Sequence, residues 1–133
     1  MKAFLIDVNA DVKEGARVVE CGNDLKTLYK LCDCSTIEIP YRKIGDYWYD
    51  IVCDEEGIFR ENQKSSAFKE NYKVAFVGNL LFCNHDSEGE LTSLTDEQIE
   101  NLKRHIQICC AYANDDSTEQ VLINTIYGVK CDD

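Results

Sequence analysis

The chain has 133 residues, 44% of them hydrophobic and 10% aromatic, and 25 acidic against 14 basic side chains give it a net charge of −11. Those values exclude a disordered or fibrous chain and fit one α+β globular domain over 1–133. The acidic balance argues against direct DNA or RNA binding, which needs a basic footprint, but leaves room for a small nucleotide in a local pocket.

Residues 2–7 and 16–21 are apolar and β-branched and are expected to form strands. The apolar run at the N-terminus stops at Asp7, short of the roughly 7–15 apolar residues of a secretory h-region. No stretch approaches the roughly 18 apolar residues of a membrane span, so the expectation is a cytoplasmic protein with no membrane partner. Asn23 or Asp24 is placed to cap a short helix through about Cys32, with Leu25, Leu28, Tyr29 and Cys32 on one face.

"STIEIPYRKI" begins a strand, Gly45-Asp46 suits a two-residue hairpin turn, and "YWYDIVC" returns. Alternation then puts Tyr47, Tyr49 and Ile51 on one face and Trp48, Asp50 and Val52 on the other. The three consecutive aromatics therefore form no single patch, and one of the two faces is expected to be core. Asp54 to Gly57 closes the strand with a second turn. A short helix is expected near Ser65–Glu70. In "KVAFVGNLLFCN" either Gly78-Asn79 turns a hairpin or one buried strand bulges at Gly78. "HDSEGE" is a loop.

Thr95 to Gln98 is a capping box, Leu94 and Ile99 have the spacing of a hydrophobic staple, and Asp96 and Glu97 suit the positive end of a helix. Ile99, Leu102, Ile106, Cys109 and Cys110 continue one apolar face, which predicts a long helix near 96–112. "EQVLINTIYGVK" follows as a final strand. The fold expected is α+β: a mostly antiparallel sheet with one short and one long helix.

The eight cysteines fit free thiols in a reducing compartment. Cys32-Asp33-Cys34 and Cys83-Asn84-His85 do not match the paired ligand spacing of a zinc site, so no metal and no cofactor is expected.

Four segments, "KAFLIDV", "NDLKTLYKLCDCSTIEI", "YRKIGDYWYDIVCDEEGIF" and "VAFVGNLLFCNHDSEGELTSLTDEQI", resemble a family of small proteins classed as domain of unknown function 3846. Its members are carried by conjugative elements and phages of Gram-positive bacteria. The resemblance covers about residues 2–100, leaves an extension from about 101 to 133, and implies a mobile-element setting without assigning any residue a chemical role.

Charge is unevenly spread. Residues 86–133 hold eleven acids and three bases, and no base lies between Lys73 and Lys103. Asp86, Glu88, Glu90, Asp96 and Glu100 are the candidate acidic surface, with the acidic turn Asp54, Glu55 and Glu56 as a further part. Trp48 and Tyr49 are the candidate aromatic anchors. The expected function is a non-catalytic accessory protein that binds, and inhibits, a host protein such as a nucleic-acid-processing defence enzyme, acting as a decoy for its basic groove. A second copy of the chain is the other partner considered. The alternative is a small enzyme or ligand pocket around Cys83, His85 and nearby carboxylates, since a cysteine nucleophile needs a histidine base.

Overall fold

A computed structural model describes residues 1–10, 14–57, 65–68, 74–112 and 120–126. The elements run β1 (Lys2–Ile6), β2 (Ala16–Glu20), α1 (Leu25–Cys32), β3 (Ile37–Glu38), β4 (Tyr41–Ile44), β5 (Tyr47–Asp54), β6 (Ser65–Phe68), β7 (Val74–Val77), β8 (Leu80–His85), β9 (Leu91–Thr92), α2 (Asp96–His105), β10 (Ile106–Tyr112) and β11 (Gln120–Ile126). Among the described residues β2, β1, β8, β5 and β3 lie side by side, with β4 also on β5 and β9 also on β8, in a seven-stranded sheet. Its pairings are antiparallel. β6 with β7 and β10 with β11 form two further antiparallel ladders. The protein is thus an α+β fold built on a mostly antiparallel sheet.

The core lies on both faces of the main sheet. On one face Phe4, Tyr49, Ile51 and Phe82 pack against Ile99 and Leu102 of α2. On the other, Leu5, Val52, Leu81 and Cys83 pack against Leu28 and Cys32 of α1. This is why "Ile51-Val52-Cys53" is an unbroken apolar run: every residue of β5 from Tyr49 to Asp54 is buried. The expected division of Tyr47, Trp48 and Tyr49 between faces is present. The expectation that only one face is core is corrected, because α1 covers the second face of this stretch.

Local chemistry explains the helix boundaries. Asp24 caps α1, accepting from the Thr27 amide, and Asp33 ends it in a left-handed conformation at φ 51°. Leu25 does not join the apolar face assigned to it; it is 57% exposed, one turn ahead of the buried pair Leu28 and Cys32. α2 has the full capping box between Thr95 and Gln98, and the staple residues Leu94 and Ile99 are both buried.

Three expectations are overturned. The long helix to residue 112 stops at His105, and Ile106 is already extended at φ −106°, ψ 123°. Cys109 and Cys110 thus lie on β10 and not on a helix face. Ile106 and Ile108 are β-branched and alternate at a period of two, and they pair with Ile126 and Asn124 of β11. Residues 65–68 form β6 instead of a short helix, paired to β7. Gly78-Asn79 neither turns a hairpin between its flanks nor bulges one continuous strand. β7 pairs with β6 while β8 enters the main sheet between β1 and β5, so the chain changes ladders at Gly78, where φ is +84°. Asn79 secures that change: its Oδ1 accepts from the Val8 amide and its Nδ2 donates to the Leu31 carbonyl, both at 2.9 Å.

Candidate functional site

Strand register brings five residues from β4, β5 and β8 to one place. Tyr41 stands opposite Asp50, Lys43 opposite Trp48, and Asp50 opposite Cys83. Because side chains alternate, Tyr41, Trp48, Asp50, Cys83 and His85 share the face that α1 covers farther along the strands. Past that cover the surface is aromatic. Tyr41 stacks on Trp48 with ring centroids 5.0 Å apart and 20° between planes. Its ring also meets His85 edge-on at 5.4 Å. Tyr41 is 46% and Trp48 48% exposed, a large apolar area left in water.

Asp50 is the polar centre of this patch. Its carboxylate is nearly buried and takes Nδ1 of His85 at 2.7 Å, while nearly half of the His85 side chain is exposed. An ionised carboxylate only accepts, so Nδ1 is then the donor, and whenever the ring is neutral Nε2 is left as the acceptor. Cys83 lies beneath, fully buried, its thiol directed at the Asp50 carbonyl at 3.8 Å. Burial, followed by the charge of Asp50, pushes that thiol up to about 12. It is therefore no ready nucleophile for His85 to activate.

The acidic turn adjoins His85 directly. Asp86 to Glu90 connects β8 to β9, which returns with Leu91 opposite His85. Asp86 itself builds the turn: its Oδ1 accepts the amides of Glu88 at 2.9 Å and Glu90 at 3.0 Å. Its backbone closes the loop with Glu90 and Gly89, the latter at φ +85°. Glu88 and Glu90 are left exposed on a fixed backbone.

The opposite face clamps the same strands. Gln98 of α2 donates from Nε2 to the Trp48 carbonyl at 3.2 Å and to Asn84 Oδ1 at 2.8 Å. Its Oε1 accepts from Asn84 at 2.6 Å and from the Thr95 amide at 2.9 Å. The capping glutamine therefore also fixes the backbone under Trp48 and beside His85.

The remaining candidates fall elsewhere. Tyr49 is fully buried and bonded to α2, which corrects its assignment as a partner anchor; it is on the core face of β5. Asp54 is buried and its Oδ1 accepts the Glu56 amide, so it shapes a turn. Glu55 and Glu56 are exposed, but they stand at the far end of β5, roughly 20 Å from Trp48 at 3.3 Å per residue. Asp96 and Glu100 are exposed on α2, which packs on the sheet face opposite Trp48, and they pair with Lys2 at 3.2 Å and Lys103 at 3.6 Å. Sequence reasoning missed Tyr41 and Asp50 as members of the site. The signal for Asp50 was a lone carboxylate inside an apolar strand.

A separate open cleft of about 470 Å³ lies between β2 and the end of α2, lined by Phe4, Ala16, Arg17, Val18, Lys103 and Ile106. Its cations are engaged: Arg17 pairs with Asp7 at 3.1 Å and Lys103 with Glu100. Among the described residues no three His, Cys, Asp or Glu side chains converge as a metal site, and no helix is long and apolar enough to cross a membrane.

Comparison with known proteins gives one match. A family model described as a domain of unknown function (DUF3846) matches residues 1–107, from β1 to the start of β10. No curated protein and no solved structure matches the chain. The match spans the whole seven-stranded sheet, both helices and the Asp50–His85 pair, and on that ground the chain belongs to the DUF3846 family.

Proposed function

We propose that the chain is a non-catalytic accessory protein of a mobile genetic element that binds a basic surface on a host protein and inhibits it. A nucleic-acid-processing defence enzyme is the class of partner that fits, because its phosphate channel is a basic groove which a fixed set of carboxylates would occupy. The observation that carries this reading is the turn 86–90, where Asp86 spends its own carboxylate on the backbone and presents Glu88 and Glu90 to solvent. Carboxylates carried on a backbone held in this way lose less freedom on binding than those of an equally acidic but floppy tail, which favours affinity. The test is capture of a host protein on the immobilised chain at low salt, followed by assay of that protein's nucleic-acid activity with added chain. The reading requires inhibition that weakens with salt and with Glu88→Lys/Glu90→Lys; inhibition indifferent to both, or none, rejects it.

A second reading is favoured by the Asp50–His85 pair, since a buried carboxylate orienting an exposed imidazole is how a general base is held. It makes His85 the centre of a small-ligand or catalytic site in which Cys83, buried beneath, takes no direct part. Turnover or ligand binding abolished by His85→Gln in a folded chain would favour it over the first.

A further inference from the structure

Two features separate in the sequence, the aromatic hairpin and the acidic loop, meet at His85. On β8 His85 is followed at once by Asp86, and across the sheet it touches Tyr41, which stacks on Trp48. We infer that this junction is the seat of an arginine side chain on an extended basic segment of the partner. The inference rests on the reading of the chain as a binder of basic surfaces and names the residue type it recognises.

Three properties converge on a guanidinium. Half-exposed Trp48 and Tyr41 rings offer a π surface, to which a cation is attracted and on which a planar guanidinium also stacks. The half-exposed His85, when its ring is neutral with Nδ1–H given to Asp50, keeps Nε2 as an acceptor, which suits an N–H donor and repels no cation. Glu88 and Glu90 supply counter-charge from the turn that begins at the residue after His85, on a backbone already fixed. A lysine ammonium satisfies the charge but not the planar stacking or the forked donation, so arginine is preferred. Lys43 argues the other way: it is exposed and in register with Trp48, and it repels a bound cation. Its removal is therefore expected to tighten binding.

Trp48 is the sole tryptophan, so its emission reports on this seat alone. Nona-arginine and nona-lysine peptides are titrated into the intact chain at low salt, with Trp48 fluorescence and calorimetry followed together. Expected are a saturable change in Trp48 emission, nona-arginine several-fold tighter than nona-lysine, Glu88→Lys/Glu90→Lys weaker by about tenfold, and Lys43→Ala tighter by roughly twofold or more. Circular dichroism confirms that both variants are folded, and each alone suffices as a test. Calorimetric binding with a silent Trp48, or equal affinity for the two peptides, overturns this inference and leaves the acidic-binder reading standing. No heat with either peptide rejects both.

Discussion

The side-chain amide of Asn101 donates to the hydroxyl of Tyr49 at 2.9 Å, joining α2 to the centre of β5 inside the core. The same amide nitrogen donates to the Ile44 carbonyl at 2.7 Å, and the Tyr49 hydroxyl passes its own proton to the Gln98 carbonyl at 2.8 Å. Tyr49→Phe removes the hydroxyl and leaves two buried polar groups short of a partner. The expected loss is about 1–3 kcal/mol, read as a lower urea midpoint with an unchanged slope. An unchanged midpoint means the network contributes nothing to stability.

Two glycines separate backbone strain from crowding. Gly45 has φ +60°, and a Cβ there would stand 2.6 Å from Asn101 Oδ1 and 2.7 Å from His105 Cε1. Gly89 has φ +85° with nothing within 4 Å of the same position. Gly89→Ala should cost about 1–2 kcal/mol for the left-handed backbone alone. Gly45→Ala should cost clearly more, since it also crowds the buried Asn101 side chain and His105. Equal losses in paired urea melts would show that the hairpin shifts freely relative to the helix.

Burial, the largest influence on each, pushes the thiols of Cys32 and Cys83 up to about 12, and that of Cys53 is pushed up as well. At about pH 8 they should resist iodoacetamide in the folded chain and react after unfolding. The sign for stability follows from the raised value. The fold favours the neutral thiol, so this contribution is complete below the ordinary value of 9.0 and is lost as pH climbs from there toward about 12. Urea midpoints should therefore fall across that window; a flat alkaline profile contradicts the burial of these groups.

Charge reversal tests the acidic turn with an internal control. Glu88→Lys/Glu90→Lys should change stability by no more than about 0.5 kcal/mol, because neither side chain supports the fold. Asp86→Lys should be worse for the fold, since it removes the acceptor of two turn amides. Glu55→Lys/Glu56→Lys, exposed at the far end of β5 from Trp48, should leave binding to a basic peptide near wild type. If the distant pair weakens binding as much as the turn pair does, charge acts through the whole molecule and not at this surface.

Much of the fold was legible in short-range chemistry. The caps of both helices, the Gly45-Asp46 turn and the alternation through Tyr47, Trp48 and Tyr49 rest on neighbours a few residues apart. The failures share a cause: at Ile106 and at Ser65 the local pattern suits a helix or a strand, and a pairing partner decides between them. The site was half legible for the same reason. Trp48, His85 and the acidic loop stood out by residue type, but Asp50 lies 35 residues from His85, and only strand register brings the two together. Tyr49 and Trp48 were equally plausible anchors until α2 was seen to cover the one and leave the other in solvent.

Gln98 has a consequence for how this surface can evolve. One amide starts a helix, braces Asn84 and holds the Trp48 carbonyl through the sheet from the far side. Glutamate, the usual alternative in a capping box, keeps the first duty and forfeits the donations to Asn84 and Trp48. The residue is thus tied to three others at once, and drift there demands simultaneous change at several positions. Glu88 and Glu90 carry no such ties, so the lineage can retune the charge of this turn quickly while the scaffold beneath it stays still.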